Sequence, residues 1–498
     1  NPPFSDKRWS TGLDPEHDDW ERFRSFGVPP AKQGDYAYLL HIIRSLKPKG
    51  KGACILPHGV LFRGNAEAEI RRNLLRKGYL AGIIGLPPNL FYGTGIPACI
   101  LLLDKENAAA RKGVFMIDAS EGFAKDGPKN RLRSRDIHQI VDTFLQTREV
   151  PGYSRLVPLE EIEKNDHNLN LPRYIDSRKR EDVQDLAAHL QGGIPLADID
   201  GLSAYWTVCP GLRAALFAPL REGYAALKVA PDQLREAIPA HPEFIRLSED
   251  LRTLFSEFRK TAAPGLKALD AGCQPKDVIR DLSESLLEHY RDRPLLDPYA
   301  VYQHIMDYWD ETLQDDLYQI SAEGWKAEPR RILETTKNGR SKDKGWVCDL
   351  VPKPLIVRRY FPEKQQALQD LESELERLNA ELAELEEEEG GEEGAFAELD
   401  KINAAQVKAR LKELADPAEQ TDPSDRTDRA ERTERTEGEI LRRWLELNGQ
   451  QSQAKSALKA ADAELDELAW KQYPKLSRDE IRTLVVEDKW MDSLEGAL

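Results

Sequence analysis

Along the first 178 residues the apolar positions alternate between a helical period and short unbroken runs, which predicts helices interleaved with buried strands. Tyr38, Leu39, Ile42, Ile43 and Leu46 share one face of a helix that Asp35 is placed to cap, and Pro48 and Gly50 stop it ahead of a strand over 53–56. Asn65 is placed to cap a second helix, which carries Ile70, Leu74 and Leu75 and ends at Gly78. It leads into an apolar strand over 80–86, broken by Pro87-Pro88, and further strands are expected over 97–103 and 113–118. Runs without polar alternation mark strands covered on both faces, as in a doubly wound sheet.

Between 179 and 360 the helical period dominates, with Trp206, Tyr290, Tyr302, Tyr308 and Trp309 as candidate core aromatics, and a helical domain is expected there. The basic stretch 330–344 inside it reads as a solvated loop in preference to a phosphate contact. After Pro362 the pattern changes again. Leu368, Leu371, Leu375, Leu378, Leu382 and Leu385 recur at steps of three and four, and so do Ile440, Trp444, Leu447, Gln451, Ala454, Leu458, Ala461, Leu465 and Leu468. Two such seams predict an antiparallel coiled-coil hairpin over 361–475, serving as an internal brace or as a docking surface, followed by a tail over 476–498. The interval 416–437 has too few apolar residues to fold alone.

Composition narrows the function classes. With 498 residues, more than one core ordinarily serves, two to four domains are expected, and no apolar run approaches a membrane span. The five cysteines, Cys54, Cys99, Cys209, Cys273 and Cys348, form no C-x-x-C pair, which argues against a disulfide framework or zinc knuckle and fits a reducing cytoplasm. The net charge of −16 is the wrong sign for a chain that holds DNA alone, so a nucleic-acid function requires a partner that supplies positive charge.

The densest chemistry lies at Asn1-Pro2-Pro3-Phe4. An exocyclic amine such as adenine N6 is a poor nucleophile, because its lone pair is delocalised into the ring. A carboxamide oxygen from Asn1 and the carbonyl of Pro2 can accept its two N–H groups and favour a tetrahedral nitrogen. Pro2 and Pro3 fix that geometry in advance, and Phe4 offers a face on which an extruded base stacks. The run from Leu86 to Pro97, with Phe91, Tyr92, Gly93 and Gly95, sits between two expected strands, where open sheets bind ligands. Its glycines are not followed by the helix and Lys-Ser/Thr of a phosphate loop.

These two segments, together with Leu61-Phe62-Arg63, Glu67, Glu69, Ile70 and Arg71, and with Asn168-Leu169-Asn170-Leu171-Pro172-Arg173-Tyr174, resemble the modification subunit of type I restriction-modification systems. The resemblance continues through the segments 302–309, 349–353 and 485–490. It implies an S-adenosylmethionine-dependent DNA adenine-N6 methyltransferase, with Asn1, Pro2, Pro3 and Phe4 as the methylation loop and Phe91 as a second aromatic holding the flipped adenine. It also implies DNA, a specificity subunit and a restriction subunit as partners, and no membrane. By the family's pattern, a helical domain and a glycine-rich donor-binding motif precede the N-P-P-F loop. No donor-binding residue is identified in this sequence, and residues 1–178 are expected to be the C-terminal half of a doubly wound, Rossmann-like sheet. Such a fragment alone should neither bind the donor well nor methylate DNA. His167, where the family more often has Tyr, is assigned no role. Two other readings compete: a scaffold subunit with an incomplete catalytic loop, and a protein-glutamine methyltransferase, which shares an N-P-P-aromatic loop but is compact.

Overall fold

The computed structural model describes residues 1–177, 184–335, 341–391, 394–415 and 428–498. It divides into one compact unit formed by 1–258 and 276–311, with Leu498, and a second formed by 259–275 and 312–497.

The first unit is built on a five-stranded sheet. Helix α1 (Asp35–Ser45) precedes strand β1 (Lys51–Pro57), and helix α2 (Ala66–Arg76) leads into β2 (Leu80–Gly85), with β3 (Ala98–Asp104) and β4 (Gly113–Asp118) following. A small ribbon, β5 (Ala124–Asp126) and β6 (Lys129–Arg131), comes before helix α3 (Ser134–Leu145) and strand β7 (Ser154–Pro158). The spatial order is β1-β3-β2-β4-β7. Side chains alternate cleanly across it. Cys54, Leu56, Ile83, Leu101, Val114 and Met116 pack with Leu39, Leu40 and Ile43 of α1 and Ile70 and Leu74 of α2. On the other face Ile84, Ala98, Phe115 and Ile117 pack with Ile140 of α3. Both faces are therefore covered, as the unbroken apolar runs require.

The ladder corrects the doubly wound expectation, because only β2 and β4 pair in parallel, whereas β1–β3, β2–β3 and β4–β7 are antiparallel. Apolar runs report burial and carry no information on direction. The connection decides that, and the loop from β2 to β3 contains no helix to carry the chain back across the sheet. Since β1 and β2 both oppose β3, and β2 parallels β4, the carboxyl ends of β1, β2 and β4 lie at one edge. That edge also carries the β2–β3 loop.

The two expected caps differ as well. Asp35 is the first residue of α1 rather than its cap, and its carboxylate is engaged elsewhere, as described below. Asn65 occupies the cap position of α2 with φ +54° and makes no side-chain cap bond.

The later part of this unit is not purely helical. Ile194–Pro195, Phe217–Arg221 and Tyr224–Leu227 form a three-stranded sheet. Helix Pro298–Tyr308 packs on α3, where the Tyr299 hydroxyl donates to Asp142 at 2.5 Å and Tyr302 stacks on His138 at 4.4 Å between ring centres.

In the second unit the basic stretch is a β-ribbon, Arg330–Thr335 against Ser341–Val347, and not a loop. Its base is fixed by aromatic packing: Trp346 lies against Trp470 and Tyr473, and its indole donates to Asp466 at 2.8 Å. Helices Pro362–Glu388 and Asp428–Gln472 run antiparallel, with Lys364 reaching Glu464 at 2.8 Å and the Trp444 indole reaching Glu386 at 2.8 Å. Leu378, Leu382, Leu441, Trp444 and Leu447 are buried between them, in a cluster that Phe396 and Val407 also join. Residues 428–437 of the polar interval continue the second helix, and 416–427 lie outside the described residues. Among the described residues no helix is long and apolar enough to cross a membrane.

Candidate active site

The β2–β3 loop and the opening tetrapeptide meet at the carboxyl edge of the sheet. Asn1, Pro2, Phe4 and Ser5 on one side, with Phe91, Tyr92, Gly93, Thr94 and Ile96 on the other, line a cavity of about 620 Å³. Phe4 and Phe91 pack against the apolar face formed by Ile84, Leu86 and Ala98, so both rings are seated by the sheet itself. Their centres are 5.7 Å apart at an interplanar angle of 67°, an edge-to-face contact. The sequence-derived residues Asn1, Pro2, Phe4 and Phe91 thus share one cavity. Pro3 follows in the chain and is exposed, without lining it.

The tetrapeptide is held from its downstream side. Ser5 turns the chain with φ +51°, a left-handed conformation costly for a non-glycine residue. Its N–H donates to the Asp35 carboxylate at 2.7 Å, which secures the turn. The next residue, Asp6, accepts the Tyr38 hydroxyl at 2.7 Å through its side chain and the Gly34 N–H at 3.0 Å through its carbonyl. The Tyr38 bond, and after it one from the Arg8 N–H to the same carboxylate at 2.9 Å, holds the Asp6 carboxyl below the usual carboxylate range. A side chain at Gly34 would strike Trp9, with its Cβ only 2.7 Å from that of the indole. The start of α1 therefore clamps the loop.

Asp35 is fully buried, and so requires a counter-charge. Arg63 supplies it. One guanidinium nitrogen donates to Asp35 at 2.8 Å, to Gln33 at 2.5 Å and to Glu67 at 3.3 Å. The guanidinium lies over Gly59, where any side chain would come within 2.7 Å of it. Burial pushes the Glu67 carboxyl up from the ordinary value of 4.5, against the pull of Arg63. In the sequence Arg63 and Glu67 stand out only through the family resemblance, and Asp35 only as a candidate cap. Their real link, across 28 residues, left no periodic signal.

The opposite wall is held by the β5–β6 ribbon, which sequence reasoning missed. The Lys129 ammonium donates to the carbonyls of Phe91 and Thr94 at 2.7 and 2.9 Å. The Asn130 carboxamide donates to Pro88 at 2.7 Å, and its N–H to the Asn89 carbonyl at 3.0 Å. The only sequence cue was Gly127-Pro128, a turn ahead of two polar residues.

The segment 168–174 lies behind the site and is structural. Leu169, Leu171 and Tyr174 are buried, and the Leu169 N–H donates to the Leu61 carbonyl at 2.9 Å. His167 offers Arg71 its main-chain carbonyl. Burial pushes the Cys54 thiol up to about 11, which makes it inert as a nucleophile. Among the described residues no cluster of His, Cys, Asp and Glu forms a metal site.

Residues 1–183 match the family model for N-6 DNA methylases. Over 199 residues the chain is 33% identical to the methylase subunit of type I restriction enzyme MjaVII of Methanocaldococcus jannaschii, covering 38% of this chain and 34% of that one. Over 210 residues it is 34% identical to the HindI methylase subunit of Haemophilus influenzae, covering 40% and 43% respectively. A crystal structure of the type I restriction-modification methyltransferase subunit from Streptococcus thermophilus aligns with 41% identity over 35% of this chain and 37% of that one, at a TM-score of 0.32. The chain spans between about a third and two fifths of the length of these curated relatives. The similarity to N-6 DNA methylases thus covers residues 1–183.

Proposed function

We propose that this chain carries the target-base pocket of an enzyme that transfers a methyl group from S-adenosylmethionine to adenine N6 in DNA, as the modification subunit of a type I restriction-modification complex. The observation that carries this reading is the one cavity bounded by Asn1, Pro2 and Phe4 on one wall and by Phe91 on the other. Among the described residues no protein group takes up the Asn1 carboxamide, so its oxygen is free to accept an N6 proton, with the Pro2 carbonyl accepting the other. Held in this way, the amine presents its lone pair out of the ring plane, where it is nucleophilic. The rings of Phe4 and Phe91 are already in edge contact, so an adenine stacks between them only after they part. Gly93, with φ +77° and open space around its α-carbon, provides a hinge in the Phe91 loop.

The family implies S-adenosylmethionine as donor, which when bound supplies an electrophilic methyl group. The described residues do not furnish its cradle. No glycine-rich turn leads from a strand of the five-stranded sheet into a helix, because β1 passes into the 3-10 turn His58–Leu61, β2 into Pro87-Pro88 and β4 into Ala119 and Ser120. The roles assigned to this chain are therefore those of the acceptor side: holding the base and orienting its amine. The specificity and restriction subunits belong to the same proposal, and the former would read the DNA sequence and supply the positive charge that a chain of −16 lacks.

Phe4→Ala tests the pocket. Base–aromatic stacking contributes about 1–3 kcal/mol, so DNA affinity or KM should weaken by about 5- to 150-fold in the complete enzyme, with Phe4→Tyr close to the native value. An unchanged KM and rate in Phe4→Ala would remove Phe4 from the site.

A further inference from the structure

We propose that the mouth of the cavity is rimmed by a phosphate-binding surface, formed by the β5–β6 ribbon and the Lys7-Arg8 turn, which takes the DNA backbone on either side of the extruded nucleotide. The inference rests on the function proposed above and assigns residues to which that reading gives no task.

The rim is made of cations outside any ion pair, of which Arg8 alone feels a neighbouring carboxylate, that of Asp6. Arg133 and Arg135, just beyond the ribbon, are paired with Asp136 and Asp297. By contrast, among the described residues no carboxylate lies within ion-pair distance of Lys125, Lys129 or Arg131, nor of Lys7 or Arg8, which follow Ser5 of the cavity wall. These two segments hold five cations against two carboxylates, Asp6 and Asp126, in a chain whose net charge is −16. Asp6 is occupied by Tyr38, and Asp126 stands across the ribbon from Lys129 without reaching it.

Position supports the same assignment. Lys129 bonds two residues of the cavity wall, and its ammonium carries a third proton not used by those carbonyls. Lys125 and Arg131 are exposed on the same ribbon, and Lys7 and Arg8, also exposed, follow Ser5 of the cavity wall. A nucleotide leaves the helix by rotating about its own backbone, so its 5′ and 3′ phosphates arrive at the mouth of whatever pocket receives the base. Lys and Arg outside any ion pair beside the mouth match that arrangement.

The test is the salt dependence with which the full chain, assembled with its specificity subunit, binds a mixed-sequence DNA duplex, since phosphate contacts do not depend on sequence. Each phosphate contact contributes about 0.9 to the slope of log K against log salt. Lys125→Gln/Arg131→Gln and Lys7→Gln/Arg8→Gln should each lower the slope by up to about 1.8, whereas Arg330→Gln/Lys344→Gln, whose cations have partners in Asp349 and Glu334, should leave it unchanged. Native slopes in both rim variants, with folding confirmed by circular dichroism, overturn the rim while leaving the methyltransferase reading intact. An equal loss in the Arg330/Lys344 control also overturns it. A native assembly that shows no salt-dependent binding to duplex DNA overturns both readings.

Discussion

Asn1→Ala should cut the rate of adenine methylation in the complete enzyme by about a hundred- to a thousandfold, the range found when one preorganised hydrogen-bonding group is removed from a reacting centre. The loss should fall on kcat, because the amide is needed most when the amine becomes tetrahedral, and DNA affinity and subunit assembly should be nearly unchanged. Asn1→Asp retains an accepting oxygen and should keep more activity than Asn1→Ala. Steady-state kinetics on one DNA substrate separate these cases. Equal losses in the two variants, or a loss confined to KM, would show that Asn1 does not accept the N6 proton.

The second large effect is on stability. Arg63→Met removes the cation that serves two buried carboxylates, Asp35 and Glu67, and leaving such charges unpaired costs about 3–5 kcal/mol. Chemical denaturation should show that loss at neutral pH. The effect has a definite pH dependence. Glu67 has its folded-state value raised by burial, so its favourable contribution is complete below its ordinary value of 4.5 and is lost as pH rises through the raised value. The deficit of Arg63→Met should therefore shrink as pH falls towards that range, where the orphaned carboxyl accepts a proton. The triple variant Arg63→Met/Asp35→Asn/Glu67→Gln should recover much of the loss. A deficit that does not change with pH would mean that the guanidinium acts by packing alone.

The same network shows where the sequence was legible. The helices α1 and α2 and the strands β1 to β4 appear within a residue or two of where their apolar periods place them, because burial on a sheet face leaves a direct imprint on residue type. Strand direction was not legible, since Ile83, Leu101 and Met116 read alike in parallel and antiparallel ladders. The site followed the same division. Asn1, Pro2 and Phe4 stand out in the sequence because amide, imide ring and aromatic face occur together, Phe91 enters only through the family resemblance, and all four line one cavity. Asp35, Arg63, Lys129 and Asn130 were missed in that role. They act through bonds to main-chain or charged groups distant in sequence, and nothing local distinguishes such a residue from a cap or a solvated charge. The stretch 330–344 reads as a loop in the sequence because the strands it forms carry polar residues on a short, two-stranded element with little burial.

The account turns on which atom receives the methyl group. The direct measurement is nucleoside mass spectrometry of duplex DNA after incubation with the complete enzyme, its partner subunits and isotope-labelled S-adenosylmethionine. The account predicts label in N6-methyladenine, lost in Asn1→Ala. Label in another nucleoside, or in a protein glutamine with none in DNA, would contradict it.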